Sequence, residues 1–381
     1  MKRASFIIYI LAAIYITILS YGFLDLNLSL TNAAPIANYL IFFRSFAREH
    51  RSMMAMLWLF GLGIFSVCYM SILKTATEVT KSSYKFIGIC IAMIALILSF
   101  AYPANSYDLF NYITTAKVTF HYGENPYIVM PVEFTGEPYL AFTRAANKVA
   151  LYGPVWIFIT AIPYFLGAGN IWSTIVAFKL LNASFYLLFL YFIFRITGSV
   201  KNILFFAFNP LVLLEVILSG HNDIYMMVLA LVGMYFWRNS SKITGFISFA
   251  FSWFIKGMTI SLIPLLFMSK KTWEQILQIS YWIVFVVFFV IAPIREELYP
   301  WYAVWFISIA SLMNFKSNCV IYALTIVLSI SLELRHLPYM WMGYYEGPGP
   351  MLRMLVTLVP VVIYLSVYFL SQYKRFSILR R

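Results

Sequence analysis

The feature that most constrains this chain is a series of apolar runs that recurs from one end of the sequence to the other. Each run is roughly 16 to 25 residues long, the length that a helix needs to cross a hydrocarbon core of ~30 Å. Hydrophobic residues make up 62% of the 381 residues and charged residues only 11%. A water-soluble fold could not bury that much apolar surface. The sequence therefore predicts an all-α polytopic membrane protein with about 10–13 membrane segments.

Ten apolar runs are predicted to cross the membrane. These crossings are 5–24, 54–73, 84–102, 172–195, 202–219, 223–238, 273–293, 301–315, 318–333 and 350–371. Two other apolar stretches are predicted to bend back. The stretch 154–168 is short and flanked by Gly and Pro, which favours a re-entrant or juxtamembrane hairpin. The stretch 243–269 is interpreted as two half-spans broken at Lys256-Gly257, because one continuous span would carry the basic pair after it to the outer side.

The distribution of basic residues predicts the orientation of the chain. The net charge is +13, but the basic residues stand in short clusters between apolar runs, so nucleic-acid binding is not expected. With both termini in the cytoplasm, most of the 27 Lys and Arg residues lie on the cytoplasmic side, as the positive-inside rule requires. We therefore expect a multi-pass protein, in the plasma membrane if the source is a prokaryote, with its functional site on the outer face.

This layout divides the chain into three parts: an N-terminal three-helix segment (1–102), an outer catalytic loop (103–171) and a C-terminal helix bundle (172–381). The loop is much longer than a helix connection needs to be, and long loops on rigid scaffolds tend to carry function. Within it, 139–151 has helical spacing with Arg144 and Lys148 on one side, so we predict an interfacial helix there.

Asp108 is the first candidate for chemistry, because it stands just beyond the third predicted span. A carboxylate at the outer boundary can act as a base toward a sugar hydroxyl that comes within hydrogen-bond reach. The alternative is structural: Asp108 could cap the N-terminus of a helix that begins near 109. The residues alone leave both interpretations open.

The second candidate is the run from Ser219 to Asp223, which joins two spans at the outer face. Its polar side chains, His221 among them, are costly at the top of an apolar hairpin unless they have partners, and a binding site would provide them. The alternative is an Asn-Asp turn that caps the next helix. His221 has no carboxylate or Cys at ligand spacing, so the pattern does not support a metal site.

Lys179, Glu215 and Lys256 are charged residues in the interior of the predicted apolar segments. A buried Lys and Glu most often pair, which lowers their solvation cost. Lys256 stands at the predicted helix break, where half-helix ends can line a cavity, and is the preferred lipid-phosphate contact. The segment from Arg295 to Tyr302 adds a cation and aromatic rings; an aromatic belt and a surface pair with neighbouring glutamates are the alternatives.

Several of these motifs, taken in order, resemble one known group of enzymes. They are Tyr107-Asp108 through Tyr112, Gly123-Glu124-Asn125-Pro126-Tyr127, Tyr152-Gly153-Pro154, Asn209-Pro210-Leu211, Glu215, Gly220-His221-Asn222-Asp223 and Tyr299-Pro300-Trp301-Tyr302. Their order and spacing over roughly 100–302 resemble the GT-C superfamily of membrane glycosyltransferases. The closest group is the polyprenol-phosphate-mannose-dependent α-1,6-mannosyltransferases. The resemblance covers about half of the chain. Two features depart from the pattern of the group: the chain is short, and no second acidic residue stands beside Asp108.

The resemblance implies a GT-C-like helical bundle and an inverting, metal-independent or weakly metal-dependent sugar transfer, with Asp108 as general base. The donor would be a polyprenyl-phosphate sugar, most readily mannose, and the acceptor a glycan or glycolipid of the cell envelope. No cofactor is expected, and the sequence gives no support for a divalent metal. The predicted substrate-binding residues are Tyr107, Tyr112, Asn125, Tyr127, Tyr152, His221, Asn222, Asp223, Lys256, Arg295, Trp301 and Tyr302.

The main alternative is a transporter or a flippase for a lipid-linked sugar, because broken helices and charges within spans also characterise transporters. Two features speak against it: the chain has no internal repeat, and its charged residues concentrate at one face. The sequence does not distinguish mannose, glucose and arabinose donors, since all three share the lipid phosphate. It also leaves open the acceptor, the linkage and the oligomeric state.

Overall fold

The computed structural model describes residues 3–25, 28, 34–76, 79–291 and 297–379. It is 77% helical, and no β-strand occurs within these ranges. Two π-helical segments, Val212–Leu218 and Val287–Ile291, interrupt the α-helices. The α-helices are α1 (Arg3–Ser20), α2 (Ala34–Glu49), α3 (Arg51–Thr75), α4 (Tyr84–Ser99), α5 (Asp108–Phe120), α6 (Pro154–Leu166), α7 (Ile171–Thr197), α8 (Val200–Ala207), α9 (Asp223–Asn239), α10 (Lys242–Trp253), α11 (Ile263–Leu266), α12 (Trp273–Val286), α13 (Ala303–Ala310), α14 (Cys319–Glu333), α15 (Leu337–Met342) and α16 (Gly349–Leu379).

Within the described ranges, seven helical segments are long and apolar enough to cross a membrane. They are Arg3–Phe23, Arg51–Thr75, Lys81–Ser99, Ile171–Thr197, Trp273–Val290, Cys319–Met342 and Gly349–Leu370. Helices of this length satisfy their own backbone hydrogen bonds, which is the condition for crossing lipid. The chain is therefore an integral, multi-pass, all-α membrane protein, as the sequence predicts.

The predicted span 202–219 is not one straight helix. Helix α8 and the segment Val212–Leu218 meet at an angle of 62°. The break falls at Asn209-Pro210, since a proline cannot donate the next helical hydrogen bond. The side-chain oxygen of Asn209 instead accepts a hydrogen bond from the backbone N–H of Leu211 at 3.0 Å. The bend matters for the site because Glu215 lies in its second arm.

The apolar stretch 243–269 is broken, as the sequence predicts. Helix α10 ends at Trp253, and a 3-10 helix begins at Gly257. The Ile255 carbonyl at the break accepts a hydrogen bond from another loop, donated by Gly153 N–H at 3.0 Å. The break therefore fixes the N-terminal end of α6 to the half-spans and brings Lys256 close to the loop 103–171.

One local prediction is wrong, and one helix is absent from the predictions. That helix is α2, and the interfacial helix predicted at 139–151 does not form. A 3-10 turn at Pro138–Phe142 is followed by irregular backbone. One cause is a tertiary hydrogen bond, since the side-chain oxygen of Asn111 accepts from Ala145 N–H at 3.0 Å. The Asn111 side chain on α5 therefore binds the Ala145 N–H, which would donate to a backbone carbonyl if 139–151 were helical.

The expected pairing of Lys179 with Glu215 is also wrong. The Lys179 ammonium is buried and donates to the carbonyl of Ala101, at the end of α4. Glu215 is equally buried but contacts two histidines, His221 and His336. Lys179 and Glu215 therefore each have polar partners of their own and do not pair with each other. The spacing of the sequence could not show this.

Candidate active site

Asp108 is the first residue of α5, but its carboxylate does not cap the helix. The helix makes no side-chain cap, and the Asp108 N–H donates to Ser106 Oγ at 3.1 Å. The carboxylate accepts a hydrogen bond from the Tyr152 hydroxyl at 3.3 Å and lies 3.6 Å from His221 Nδ1. Its side chain is 24% exposed. A partly exposed carboxylate held by two ring side chains remains open to a substrate.

Tyr112 and Tyr152 form the wall behind Asp108. Their rings meet edge to face with centroids 5.0 Å apart. Burial raises the pKa of the Tyr152 hydroxyl well above 10.0, and the negative charge of Asp108 raises it further. Tyr152 therefore keeps its proton and donates it in a hydrogen bond to the carboxylate. Burial, followed by the charge of Asp108, likewise raises the pKa of Tyr112.

His221 lies fully buried between two carboxylates. Its Nδ1 faces Asp108, and its Nε2 lies 3.2 Å from Glu215 Oε2. The imidazole stacks on the Trp301 ring with centroids 4.0 Å apart and an angle of 15° between the planes. The stack and the two carboxylates fix the ring orientation, so His221 can orient Asp108 toward a substrate. Asp108, Glu215 and Trp301 come from three different parts of the chain.

Asp223 and Lys256 form an ion pair beside this group. Asp223 Oδ1 accepts hydrogen bonds from Lys256 Nζ at 2.9 Å and from the indole N–H of Trp305. The ammonium also lies 4.4 Å from the centre of the Tyr302 ring. The ion pair and the aromatic rings hold Lys256 at the helix break, where its charge faces the loop that carries Tyr152.

Several buried polar atoms around the site have no hydrogen-bond partner among the described residues. They are Ser219 Oγ, both side-chain polar atoms of Asn222 and Asp223 Oδ2. An unpartnered buried polar group costs free energy, about 1–3 kcal/mol, and such groups require an explanation. A hydroxyl-rich ligand would satisfy them, so their concentration between α5 and α9 makes this region a candidate binding site.

The structure brings most of the predicted site residues together, but not all of them. Asn125 is exposed, and its side chain stabilises the turn in which it lies by accepting a hydrogen bond from Tyr127 N–H at 3.0 Å. Tyr127 reaches the site through one contact, since its hydroxyl donates to the carbonyl of Tyr152 at 2.8 Å. Arg295 lies outside the described residues. Asn125 therefore shapes the loop and has no described contact with Asp108.

A second carboxylate, Asp25, was missed by the sequence analysis. It follows the first span, is buried, and accepts a hydrogen bond from the Tyr107 hydroxyl at 3.3 Å. The Arg144 guanidinium lies 4.6 Å from the centre of the Tyr107 ring. Tyr107 thus links Asp25 and Arg144 to the start of α5. The signal was available, because Asp25 follows a predicted span that ends on the outer side, as Asp108 does.

A contact between buried residues that lie far apart in the sequence was also not predicted. Glu215 was noted as a charge within a span, but Glu333 and His336 were not considered. Glu215 Oε1 and His336 Nε2 lie 2.6 Å apart although 121 positions separate the residues in the sequence. No local pattern could have indicated this contact.

The comparison with protein families gives one match. The family model described as "Alpha-(1->6)-mannopyranosyltransferase, N-terminal domain" matches residues 10–270. No curated protein and no solved structure gives a significant match. The matched region contains the second half of α1 and all of α2 to α11, and therefore Asp25, Asp108, His221 and Lys256.

Proposed function

The chain belongs to the alpha-(1->6)-mannopyranosyltransferase family, and we propose that it transfers mannose from a polyprenyl-phosphate donor to a glycan or glycolipid on the outer face of the membrane. Membership makes it a glycosyltransferase. One observation carries the finer proposal: the Asp108 carboxylate is held by Tyr152 and His221 beside buried polar atoms that have no described partner. Sugar transfer by general base catalysis requires such a base and hydrogen-bonding groups for the sugar beside it.

The proposed reaction is a single displacement. Asp108 takes the proton of an acceptor hydroxyl, the hydroxyl oxygen bonds to the anomeric carbon, and the bond from that carbon to the phosphate oxygen breaks. The electron pair of the broken bond leaves on the lipid phosphate. Inversion that yields an α-linked product needs a β-linked donor. For a (1→6) linkage, the attacking group is a primary hydroxyl at C6 of a hexose.

The departing phosphate needs a cation, because its negative charge grows as the bond breaks. Lys256 is the best-placed candidate, since its side chain is 18% exposed and its ammonium lies between Asp223 and the Tyr302 ring. Arg144 is exposed on the same loop as Tyr152 and is the next candidate. The donor's apolar chain would remain in the lipid, which explains why the site is built on membrane helices.

The test is sugar transfer by the purified protein in proteoliposomes that contain polyprenyl-phosphate mannose and a mannoside acceptor. Asp108→Asn removes the base while keeping the size of the side chain. General base catalysis contributes about 10²–10⁴ in rate, so we expect a loss of at least about 100-fold. Glu124→Gln is the matched control, because Glu124 is exposed in the same loop. Wild-type transfer by Asp108→Asn would refute the proposal.

Asp25 is the competing candidate for the base, and a rescue experiment distinguishes the two carboxylates. Asp108→Gly leaves room for formate, and formate should restore part of the transfer if the lost group took a proton. Asp25 is more deeply buried and bonded to Tyr107, so we expect no rescue of Asp25→Gly. Rescue of Asp25→Gly alone would assign the base to Asp25.

The same vesicles distinguish transfer from transport of a lipid-linked sugar. A flippase would move labelled donor between leaflets without forming product, and Asp108→Asn would leave that movement intact. We expect product formation that depends on Asp108.

A further inference from the structure

Glu215, Glu333 and His336 lie together in the interior of the helix bundle, and Glu215 contacts the His221 nitrogen that does not face Asp108. Glu215 lies in the second arm of the broken span, Glu333 ends α14, and His336 lies in the turn that follows. One ligand atom from each lies within 4.8 Å of the other two. Both glutamates are fully buried, and the His336 side chain is 12% exposed.

Glu333 is the member that its surroundings do not explain. Neither of its carboxylate oxygens has a hydrogen-bond partner among the described residues. It faces Glu215, a second buried carboxylate, whose two oxygens contact His336 and His221. Two carboxylates in a low-dielectric interior repel each other unless a positive charge or a shared proton lies between them. His336 and His221 both contact Glu215, and neither forms an ion pair with Glu333 among the described residues.

We infer that Glu215, Glu333 and His336 bind a divalent transition-metal ion such as Zn²⁺ or Mn²⁺. Carboxylate oxygen and imidazole nitrogen are both ligand types that zinc accepts, and manganese favours carboxylate oxygen. Two carboxylates also balance the double charge of the ion. The partial exposure of His336 provides a path for entry, which a buried site requires.

Binding an ion would require the ligand atoms, which lie within 4.8 Å of one another, to shift. Zinc binds carboxylate oxygen and imidazole nitrogen at about 2.0–2.2 Å, so ligand atoms around a tetrahedral ion lie roughly 3.4 Å apart. Glu215 Oε1 and His336 Nε2 are 2.6 Å apart and would separate slightly as the ion replaced their hydrogen bond. A fourth position would remain for water.

His221 supplies the outer shell of the site. Glu215 faces His336 with Oε1 and His221 with Oε2, so the second oxygen can accept a hydrogen bond from the imidazole. Such outer-shell hydrogen bonds hold ligating carboxylates in place. The ion would thereby fix Glu215, and through it the ring that faces Asp108. The site does not depend on the proposed transfer reaction, because the metal can be measured directly.

The experiment is metal analysis of the whole protein, purified in detergent without chelator through a tag that contains no histidine. After incubation with Zn²⁺ and removal of the excess, we expect about one ion per chain in the wild type. Glu333→Gln and His336→Gln should each lower the bound metal at least tenfold. Glu346→Gln is the matched control, because Glu346 is exposed in the neighbouring loop, and it should bind as the wild type does.

A second measurement uses only the wild type and so remains decisive if a variant fails to fold. With Mn²⁺ in place of zinc, pulsed electron paramagnetic resonance should show nitrogen coupling from one imidazole. A wild type that binds no ion and shows no thermal shift with Zn²⁺ or EDTA would overturn the inference and indicate a proton shared by the two carboxylates. Metal retained at the wild-type level in a folded Glu333→Gln protein would overturn it as well.

Discussion

Replacing Lys256 with Met should destabilise the protein by more than a surface ion pair could explain. Lys256 Nζ lies 2.9 Å from Asp223 Oδ1, and Asp223 has no solvent exposure. At an effective dielectric constant of ~20, two unit charges at that distance attract by about 6 kcal/mol before solvation costs. Met keeps the length of the side chain but leaves the Asp223 carboxylate buried without its cation.

The expected magnitude follows from the burial of the two partners. Removing one member of a buried pair costs about 3–5 kcal/mol, because the other charge stays in the interior. The Lys256 side chain is 18% exposed, and Trp305 still donates to Asp223, so we expect the lower end, about 3 kcal/mol. An exposed pair would lose only about 0–1 kcal/mol.

The assay is equilibrium unfolding in mixed micelles, with the free energy of unfolding measured for a double-mutant cycle. Lys256→Met and Asp223→Asn should together cost at least about 1 kcal/mol less than the sum of the single changes, because the two residues interact directly. Lys242→Met is the control, since Lys242 is exposed at the start of α10. Additive costs, or a loss below about 1 kcal/mol for Lys256→Met, would refute the reasoning.

Two further predictions concern the loop that carries the site. Gly153→Ala should lower the free energy of unfolding by about 1–3 kcal/mol, since the added Cβ would lie 2.0 Å from the backbone oxygen of Phe254. Gly63→Ala, where a Cβ meets no atom within 4 Å, should not destabilise the protein in the same unfolding assay. Burial raises the pKa of Glu137, but hydrogen bonds, first from Lys117, outweigh burial and leave it below the ordinary value of 4.5. The stabilisation is therefore present above pH ~4.5 and lost as the pH falls through the lowered pKa. Hydrogen exchange of residues 121–139, corrected for intrinsic rates, should accelerate there in the wild type but not in Glu137→Gln.

The spans could be predicted from the sequence because residues that face lipid must be apolar, and a long apolar run can be recognised locally. Predicted crossings at 54–73 and 172–195 correspond to α3 (Arg51–Thr75) and α7 (Ile171–Thr197). The interfacial helix predicted at 139–151 does not form. In a loop, helical spacing of the side chains allows a helix but does not require one. There, the contact between Asn111 and Ala145 decided the backbone conformation.

The candidate site was predictable where its residues follow the ends of spans. Asp108 and His221 stand at such ends, and the structure places them 3.6 Å apart. Glu215 and His336 could not be paired from the sequence, because 121 positions separate them and only the packing of distant helices brings them together. Lys256 was identified by its place at a helix break, whereas its ion-pair partner Asp223 became apparent only in three dimensions.

The most direct test of the central claim is an experimental structure with a non-transferable polyprenyl-phosphate mannose analogue and an acceptor bound. The account predicts that an Asp108 oxygen lies within about 2.6–3.2 Å of the acceptor hydroxyl, with that hydroxyl opposite the phosphate at the anomeric carbon. An acceptor hydroxyl that instead contacts Asp25, or a sugar bound away from both Asp108 and His221, would contradict it.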